Sequence, residues 1–227
     1  MSEGAKAEVD RCQCDYGKGA GLRATGKGST AKASKCSFNS NEDGAVASQG
    51  GSVELLGCRC DDNKGGGLIA EGQGSLATAS AQCSISSSRT RGNVDAVLGG
   101  CVKLHECVCD DSRTRGLSVA GSGSTAVATR CSFSDSKCSN VAAKSRGLLT
   151  LYSCKCEHSR SGTGLEVCYA GSYATASACS ISFNHKSNMR VLEGGVVKVR
   201  DGCKCDRSVT GCGLIVWDAG STATVAK

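Results

Sequence analysis

Short stretches in which apolar and polar residues alternate recur along the whole chain, separated by turns rich in glycine and serine. Between Gly21 and Ala24, and again between Thr30 and Ala33, every second residue is apolar. A period of two places these apolar side chains on one face of a β-strand. No stretch sustains the period of about 3.6 residues that marks an amphipathic helix, so the pattern predicts an all-β fold of short strands.

A cysteine marks the start of each repeating unit. Successive units are 22 to 25 residues long, and Cys-x-Cys units alternate with Cys-Ser-Phe or Cys-Ser-Ile units. A fixed period of this length is typical of a solenoid, and here it predicts about nine coils of ~24 residues, each with three short strands, in a two-coil repeat of ~48 residues. The predicted coils start at Cys12, Cys36, Cys58, Cys83, Cys107, Cys131, Cys154, Cys179 and Cys203.

Stacking the units predicts columns of inward-facing side chains along the rod. The first column consists of the nine cysteines that start the coils. The second column alternates cysteine with Phe or Ile, as in Cys109, Phe133 and Cys156. Columns of the third strand alternate alanine with Val or Leu, as in Ala126 and Leu149. Large and small residues exchange sides from coil to coil, which lets the layers interdigitate at the density of a protein interior.

The sequence resembles the right-handed parallel β-helix superfamily of pectate-lyase-like proteins. The resemblance rests on Gly-[Leu/Val]-x-[Ala/Val], Gly-Ser-x-Ala-x-[Ala/Val] and Cys-x-[Cys/Phe/Ile], and it extends over residues 4–227. It implies a right-handed parallel β-helix, and we predict a single such domain over residues 1–227. The coil length favours this form over a left-handed β-helix, whose coils are shorter. The superfamily contains lyases, hydrolases, epimerases, adhesins and scaffolds, so the resemblance selects no function.

Carboxylates are the candidates for catalytic chemistry. An acidic column follows the Cys-x-Cys stretches and consists of Asp15, Asp61, Asp110, Glu157 and Asp206. The next position holds Asp62, Asp111 and His158 in alternate coils. Alternate coils lie roughly 10 Å apart, close to the ~6.5–9.5 Å that separates the two carboxyl groups of inverting glycosidases. The candidate catalytic residues are therefore Asp61, Asp62, Asp110, Asp111 and His158.

Repetition favours a structural interpretation of the same carboxylates. A catalytic site is needed once, whereas an aspartate that accepts hydrogen bonds from backbone N–H groups is useful in every turn. The chain contains no proline, so it cannot match the proline-containing motifs of the pectate lyases or mannuronan epimerases that it resembles. We therefore predict no catalytic site.

The chain contains 18 cysteines, and we predict that those in the columns are reduced and buried, because free cysteine packs as a small hydrophobe. The Cys-x-x-Cys spacing typical of zinc sites is absent from the columns, so neither a metal nor a cofactor is predicted. Four cysteines fall outside the columns, and we expect them to be exposed or in turns, with their redox state left open. They are Cys101, Cys138, Cys168 and Cys212.

Two surface features suggest ligands, and each has a simpler interpretation. Basic residues in the turn after the cysteine strand could meet an acidic polymer or nucleic acid, but interleaved acidic residues and few aromatics favour a solvated turn. They are Lys18, Lys64, Arg89, Arg91, Arg113, Arg115, Lys137, Arg160, Lys186 and Arg207. Threonines on the third strand resemble an ice-binding array, but Lys32, Glu54, Lys103 and Lys198 interrupt it.

The remaining expectations concern location, partners and role. No apolar segment of a signal peptide follows Met1, and no apolar run approaches membrane-spanning length, so we predict an intracellular protein without a membrane partner. No capping element precedes or follows the coils, which predicts end-to-end self-association or a protein partner. The predicted function is a non-catalytic rigid structural or binding module. The alternatives are a carbohydrate-active enzyme or carbohydrate-binding domain and, second, an ice-binding protein.

Overall fold

The computed structural model describes residues 4–226, and every regular element within that range is a β-strand. Met1 to Glu3 and Lys227, which belong to the predicted domain of residues 1–227, lie outside the described residues. Neighbouring strands are parallel and stack coil upon coil into two long sheets. The predicted all-β solenoid of about nine coils is therefore confirmed. Coil 1 begins at Cys12 and coil 9 begins at Cys203.

Sheet 1 contains ten strands, the odd-numbered strands of the chain, and each one pairs with the odd-numbered strands before and after it. They are β1 (Lys6–Asp10), β3 (Thr30–Ser34), β5 (Ser52–Leu56), β7 (Leu76–Ser80), β9 (Cys101–His105), β11 (Thr125–Thr129), β13 (Leu148–Tyr152), β15 (Tyr173–Ser177), β17 (Val196–Arg200) and β19 (Thr222–Val225). The register pairs Ala31 with Val53 and Ala126 with Leu149. The predicted third strand, with small and large residues alternating between coils, is thus present.

Sheet 2 contains nine strands, one from each coil. They are β2 (Ala20–Thr25), β4 (Asp43–Ser48), β6 (Leu68–Glu71), β8 (Val94–Val97), β10 (Leu117–Ala120), β12 (Val141–Lys144), β14 (Thr163–Cys168), β16 (Ser187–Leu192) and β18 (Leu214–Val216). Leu68, Val94 and Leu117 share one inward column and are 0% exposed. This sheet corresponds to the predicted second strand of each coil.

The Cys-x-Cys stretches form the third side of each coil as isolated parallel bridges rather than as extended strands. Positive φ angles limit their length: Lys35 (53°) precedes the bridge in coil 2, and Tyr16 (63°) and Asp62 (57°) follow it in coils 1 and 3. This left-handed conformation ends an extended segment. The bridge residues are Gln13, Ser37, Arg59, Ser84, Val108, Ser132, Lys155, Ser180 and Lys204.

A narrow core of small and branched side chains runs through the coils. Phe133 is 0% exposed, as are Cys109 and Cys156 at the matching positions of the adjacent coils, so the predicted alternation holds. The column of coil-starting cysteines is buried in coils 2 to 8, but Cys12 is exposed and Cys203 is partly exposed. In this chain each of these two has a column neighbour on one side only.

In coils 3 and 4, the turn after the bridge folds over the outer face of sheet 2. Ile69 lies at an outward position of β6 yet is 0% exposed, and the outward Asp95 of β8 is 5% exposed. A Cβ atom on Gly66 would lie 3.0 Å from Ile69 Cγ1, and one on Gly92 would lie 2.7 Å from Asp95 Oδ1. The turn backbone therefore lies directly on this face. Asp95 projects outward from β8, but the turn covers it.

Candidate functional site

The carboxylates of the acidic column connect neighbouring coils. Asp61 Oδ1 accepts hydrogen bonds from Ser84 Oγ at 2.8 Å and from the backbone N of Ser86 at 2.9 Å. Asp61 Oδ2 accepts a further bond from Arg59 Nε at 3.2 Å. The predicted bond from a backbone N–H group is present, but its donor belongs to the next coil rather than to the aspartate's own turn. Stacking explains this, because it places the next bridge beside the carboxylate.

The same contact recurs along the rod. Asp110 Oδ1 accepts hydrogen bonds from Ser132 Oγ at 2.8 Å and from the backbone N of Ser134 at 2.6 Å. The other members of the acidic column accept bonds from serine hydroxyls of a neighbouring coil: Asp15 from Ser37, Glu157 from Ser180 and Asp206 from Ser182. Each carboxylate of the acidic column therefore links two coils.

Burial and hydrogen bonding act in opposite directions on these carboxylates. In mid-rod, burial raises the pKa of Asp110 above its ordinary value despite the hydrogen bonds from Ser134 and Ser132. Burial also raises the pKa of Asp15, but the bonds from the backbone of Asn39 and from Ser37 outweigh it, so this pKa is lowered. The difference follows from the shallower position of Asp15 in coil 1.

The other three candidate catalytic residues follow the acidic column in the turn. Asp62, Asp111 and His158 all adopt left-handed backbone conformations, with φ of 57°, 59° and 58°. Asp62 and Asp111 line one depression. The ring of His158 instead stacks on Phe183, with centroids 5.3 Å apart and planes 9° from parallel. The structure therefore brings the two aspartates together and places His158 in a separate aromatic stack.

Three arginines line the depression that these two aspartates share. We call it the arginine pocket; it has a volume of about 230 Å³ and is lined by Asp62, Ser87, Arg89, Asp111, Arg113 and Arg160. Arg160 Nη2 donates a hydrogen bond to Asp111 Oδ1. Ser87 Oγ donates a hydrogen bond to Asp111 Oδ2 at 3.4 Å. The pocket is therefore a polar site that contains both hydrogen-bond donors and acceptors.

The predicted basic residues divide into separate groups. Six of them occupy the same turn position, Lys18 and Lys64 in coils 1 and 3 and the other four in the consecutive coils 4 to 7. We call these four the basic row: Arg89, Arg113, Lys137 and Arg160. The backbone N of Arg113 donates to Ser88 O at 3.0 Å and that of Lys137 donates to Ser112 O at 2.8 Å, which fixes the register of the row. Arg91, by contrast, points toward Asp95 on sheet 2.

A charged cluster lies on the outer face of sheet 2. Arg91 Nε lies 3.5 Å from Asp95 Oδ2. Burial raises the pKa of Asp95 to about 6, although Arg91, the backbone of Gly92 and Arg115 lower it, while Asp43 raises it further. Arg91, Arg115 and the backbone of Gly92 therefore offset only part of the cost of burying the charged Asp95 carboxylate. Its burial depends on the folded turn, which alternation along β8 could not reveal.

Glu166 lies three coils further along the same column. At Glu166, favourable partners outweigh burial, whereas at Asp95 burial outweighs the partners. Glu166 accepts hydrogen bonds from Ser139 Oγ at 2.5 Å and Lys144 Nζ at 3.0 Å. Burial alone raises its pKa, but Ser139 and Lys144 outweigh burial and lower the pKa to about 2. Direct partners on both carboxylate oxygens explain the contrast with Asp95. Glu166 is thus a satisfied structural charge.

We expect Asp95→Asn to stabilise the protein at neutral pH. The folded-state pKa of Asp95 is about 6 and the unfolded value is 3.8, so the folded state holds the proton more tightly. The stability that this protonation contributes is present below about pH 4 and is lost as the pH rises to about 6. Urea unfolding at pH 7.5 should therefore show a gain of about 2 kcal/mol for the variant. At pH 3.5 the gain should disappear, whereas a loss of stability at pH 7.5 would contradict the assignment.

Most of the thiols are inaccessible. Burial raises the pKa of Cys60, Cys109 and Cys156 well above the usual value. Cys168 was predicted to be exposed or in a turn, and this is wrong: it lies at the end of β14 and is 4% exposed. Its Sγ donates a hydrogen bond to Glu166 Oε1 at 3.4 Å. Within residues 4–226, no group of three or more His, Cys, Asp or Glu side chains is arranged to hold a metal ion.

Alkylation of the native protein should distinguish exposed thiols from buried ones. We expect Cys12, Cys14 and Cys212, which are exposed, to react rapidly with iodoacetamide, since a thiol must be accessible and ionised to react. The buried cysteines should react only after unfolding, as peptide mass spectrometry can show. Rapid labelling of Cys107 or Cys131 in the folded protein would contradict the buried column.

The outer face of sheet 1 carries the predicted threonines. Register places Thr150 beside Thr175, but Lys198 follows Thr175 in the same column. Lys32 and Glu54 occupy this column near its other end and form an ion pair at 3.1 Å. The charges therefore interrupt the array as the sequence predicted. None of the described segments forms a helix long and apolar enough to cross a membrane.

Comparison with known proteins supports the architecture. A family model described as a right handed beta helix region matches residues 1–88. The match supports a right-handed β-helix over these residues, and the parallel stacked coils continue through the rest of the described chain. Both findings are consistent with the resemblance to pectate-lyase-like proteins. No curated protein matches the chain.

Among solved structures, the chain is similar to the crystal structure of a TibC-catalyzed hyper-glycosylated TibA fragment. The identity is 13%, the TM-score is 0.23, and 97% of each chain is covered. At this identity and TM-score the similarity carries no functional argument.

Proposed function

We propose that this protein is a non-catalytic rigid module, a rod whose side faces support or bind a partner. The acidic column carries the proposal. Its carboxylates are the groups best suited to acid–base chemistry, yet Asp61 and Asp110 accept hydrogen bonds from the adjacent coil at 2.9 Å or less. The same contact recurs in alternate coils, whereas catalysis needs a carboxylate at one place.

The uniform coils support the same role. Their lengths of 22 to 25 residues leave no long inserted loop that could build a substrate cleft. Parallel coils stacked at about 4.8 Å present a regular surface to a protein or carbohydrate partner. The proposal includes a reducing intracellular setting, because the 18 cysteines are free and disulfides persist in oxidising compartments.

A glycan array that is read for both retention and product formation tests this role. We expect any glycan that the protein retains to be recovered uncleaved. The variants Asp61→Asn and Asp110→Asn should retain it equally, since an amide oxygen can accept the same hydrogen bonds. Release of cleaved or unsaturated product by the native protein, lost in either variant without a change of fold, would instead assign an enzyme.

A further inference from the structure

Stacked charges on this rod are generally of opposite sign. Lys32 lies beside Glu54 at 3.1 Å on sheet 1, and Lys64 lies beside Glu42 at 3.1 Å in the turn. On another edge, Arg130 pairs with Glu106 at 3.2 Å. Opposite charges on adjacent strands stabilise the stack, and like charges destabilise it. The usual arrangement of this chain therefore needs no external counter-charge.

The basic row breaks this rule. Four cations occupy equivalent positions in four consecutive coils, about 4.8 Å apart per coil. Arg160 pairs with Asp111. In the part of the chain that the structure describes, Arg89, Arg113 and Lys137 form no ion pair. Departures from a local rule without compensation within the chain are expected at functional sites. The uncompensated charge points to an anion from outside.

The arginine pocket has the form that such an anion requires. Arg89, Arg113 and Arg160 converge on one concave space of about 230 Å³, which the row's remaining member, Lys137, does not line. Guanidinium groups match tetrahedral oxyanions because their forked N–H donors bind two oxygens at once. Asp111 holds the guanidinium of Arg160 in the pocket through a hydrogen bond.

The geometry points to a binding site for inorganic phosphate in the arginine pocket. The inference goes beyond the proposed structural role, because a small anion here neither requires nor excludes a partner on the other faces. Few aromatic residues accompany the row, and the chain is only 4% aromatic. Stacking of bases would need such residues, which disfavours a nucleic acid as the source of the phosphate.

The second aspartate makes the site selective. Asp62 lines the pocket but takes part in no ion pair within residues 4–226. A carboxylate repels a fully ionised anion, whereas it accepts a hydrogen bond from a protonated one. Inorganic phosphate retains at least one proton near neutral pH, because its third and last proton dissociates only far above neutral pH, whereas sulfate retains none. The pocket should therefore prefer phosphate to sulfate.

Calorimetric titration of the full chain with inorganic phosphate, glycerol 3-phosphate and sodium sulfate at pH 7 tests the site. We expect phosphate to bind at least about tenfold more tightly than sulfate. Arg113→Gln should weaken phosphate binding about tenfold, because a charge-assisted bond is lost. Lys137→Gln removes the same charge from the adjacent coil but does not line the pocket, so its effect should stay below about twofold. Asp62→Asn should abolish the discrimination by improving sulfate binding.

The controls separate this site from general attraction to a basic edge. Circular dichroism should show that the variants keep the native fold, since these side chains are exposed. Absence of phosphate binding at millimolar concentration would overturn the proposal. Equal losses in Arg113→Gln and Lys137→Gln, or equal affinities for phosphate and sulfate, would overturn it as well. Glycerol 3-phosphate has a second phosphate pKa of about 6 and is mostly fully ionised at pH 7, so it should bind as weakly as sulfate. Binding as tight as that of inorganic phosphate would contradict the role of Asp62.

Discussion

Replacing Phe133 by alanine is expected to lower the free energy of unfolding by about 3–5 kcal/mol. Phe133 is fully buried in coil 6, and the matching positions in coils 5 and 7 hold only Cys109 and Cys156. These small side chains leave the space that the phenyl ring fills. Alanine would therefore leave a cavity that the stacked backbone, held by parallel ladders on both sides, cannot close.

Guanidinium chloride unfolding followed by circular dichroism would measure this loss. Val127→Ala is the matched control, because Val127 is 42% exposed on sheet 1 and lies only six residues away in the chain. We expect this control to change stability by less than about 0.5 kcal/mol. A loss of under about 1 kcal/mol for Phe133→Ala would show that the core is not packed as described.

A Gly100→Ala variant is expected to be destabilised by about 3 kcal/mol, at the upper end of overpacking effects. Gly100 joins the turn after β8 to β9, and a Cβ atom there would lie 2.1 Å from Ala70 O. That oxygen belongs to β6 in the coil below, so relief of the clash requires distortion of sheet 2. The same close approach recurs at Gly51, Gly147 and Gly195, where the distances to backbone oxygens are 2.3, 2.3 and 2.6 Å.

The control for this variant is Gly19→Ala. No heavy atom lies within 4 Å of a Cβ built on Gly19. The change should therefore be neutral or slightly stabilising, since alanine restricts the unfolded chain more than glycine does. Thermal unfolding of both variants distinguishes the two sites, and equal melting temperatures would contradict the close contact at Gly100.

The core of this fold was predictable because a solenoid repeats one geometry. Once the period is known, an inward position in one coil predicts an inward position one period later in the next coil. The buried alternation of Cys109, Phe133 and Cys156 could thus be predicted without coordinates. Exposure of Cys12 was missed because burial in a column needs a neighbour on both sides.

Contacts made by the turns were less predictable. Burial of Asp95 depends on how the turn folds across sheet 2, and turns carry no period-two signal. For the acidic column, the sequence indicated a hydrogen-bonding role but not that the donors belong to the next coil. Convergence of Arg113 and Arg160 on one pocket likewise depends on side-chain directions that spacing alone cannot supply.

A double-mutant cycle on Asp110 and Ser132 tests the central claim that the acidic column holds the coils together. Their side chains form a hydrogen bond of 2.8 Å between coils 5 and 6. Unfolding free energies should be measured at pH 7.5 for the native protein, Asp110→Ala, Ser132→Ala and the double variant. We predict a coupling energy of about 1 kcal/mol or more, because the two groups contact each other directly. Losses that add to within about 0.3 kcal/mol would contradict the claim and reopen a functional role for these carboxylates.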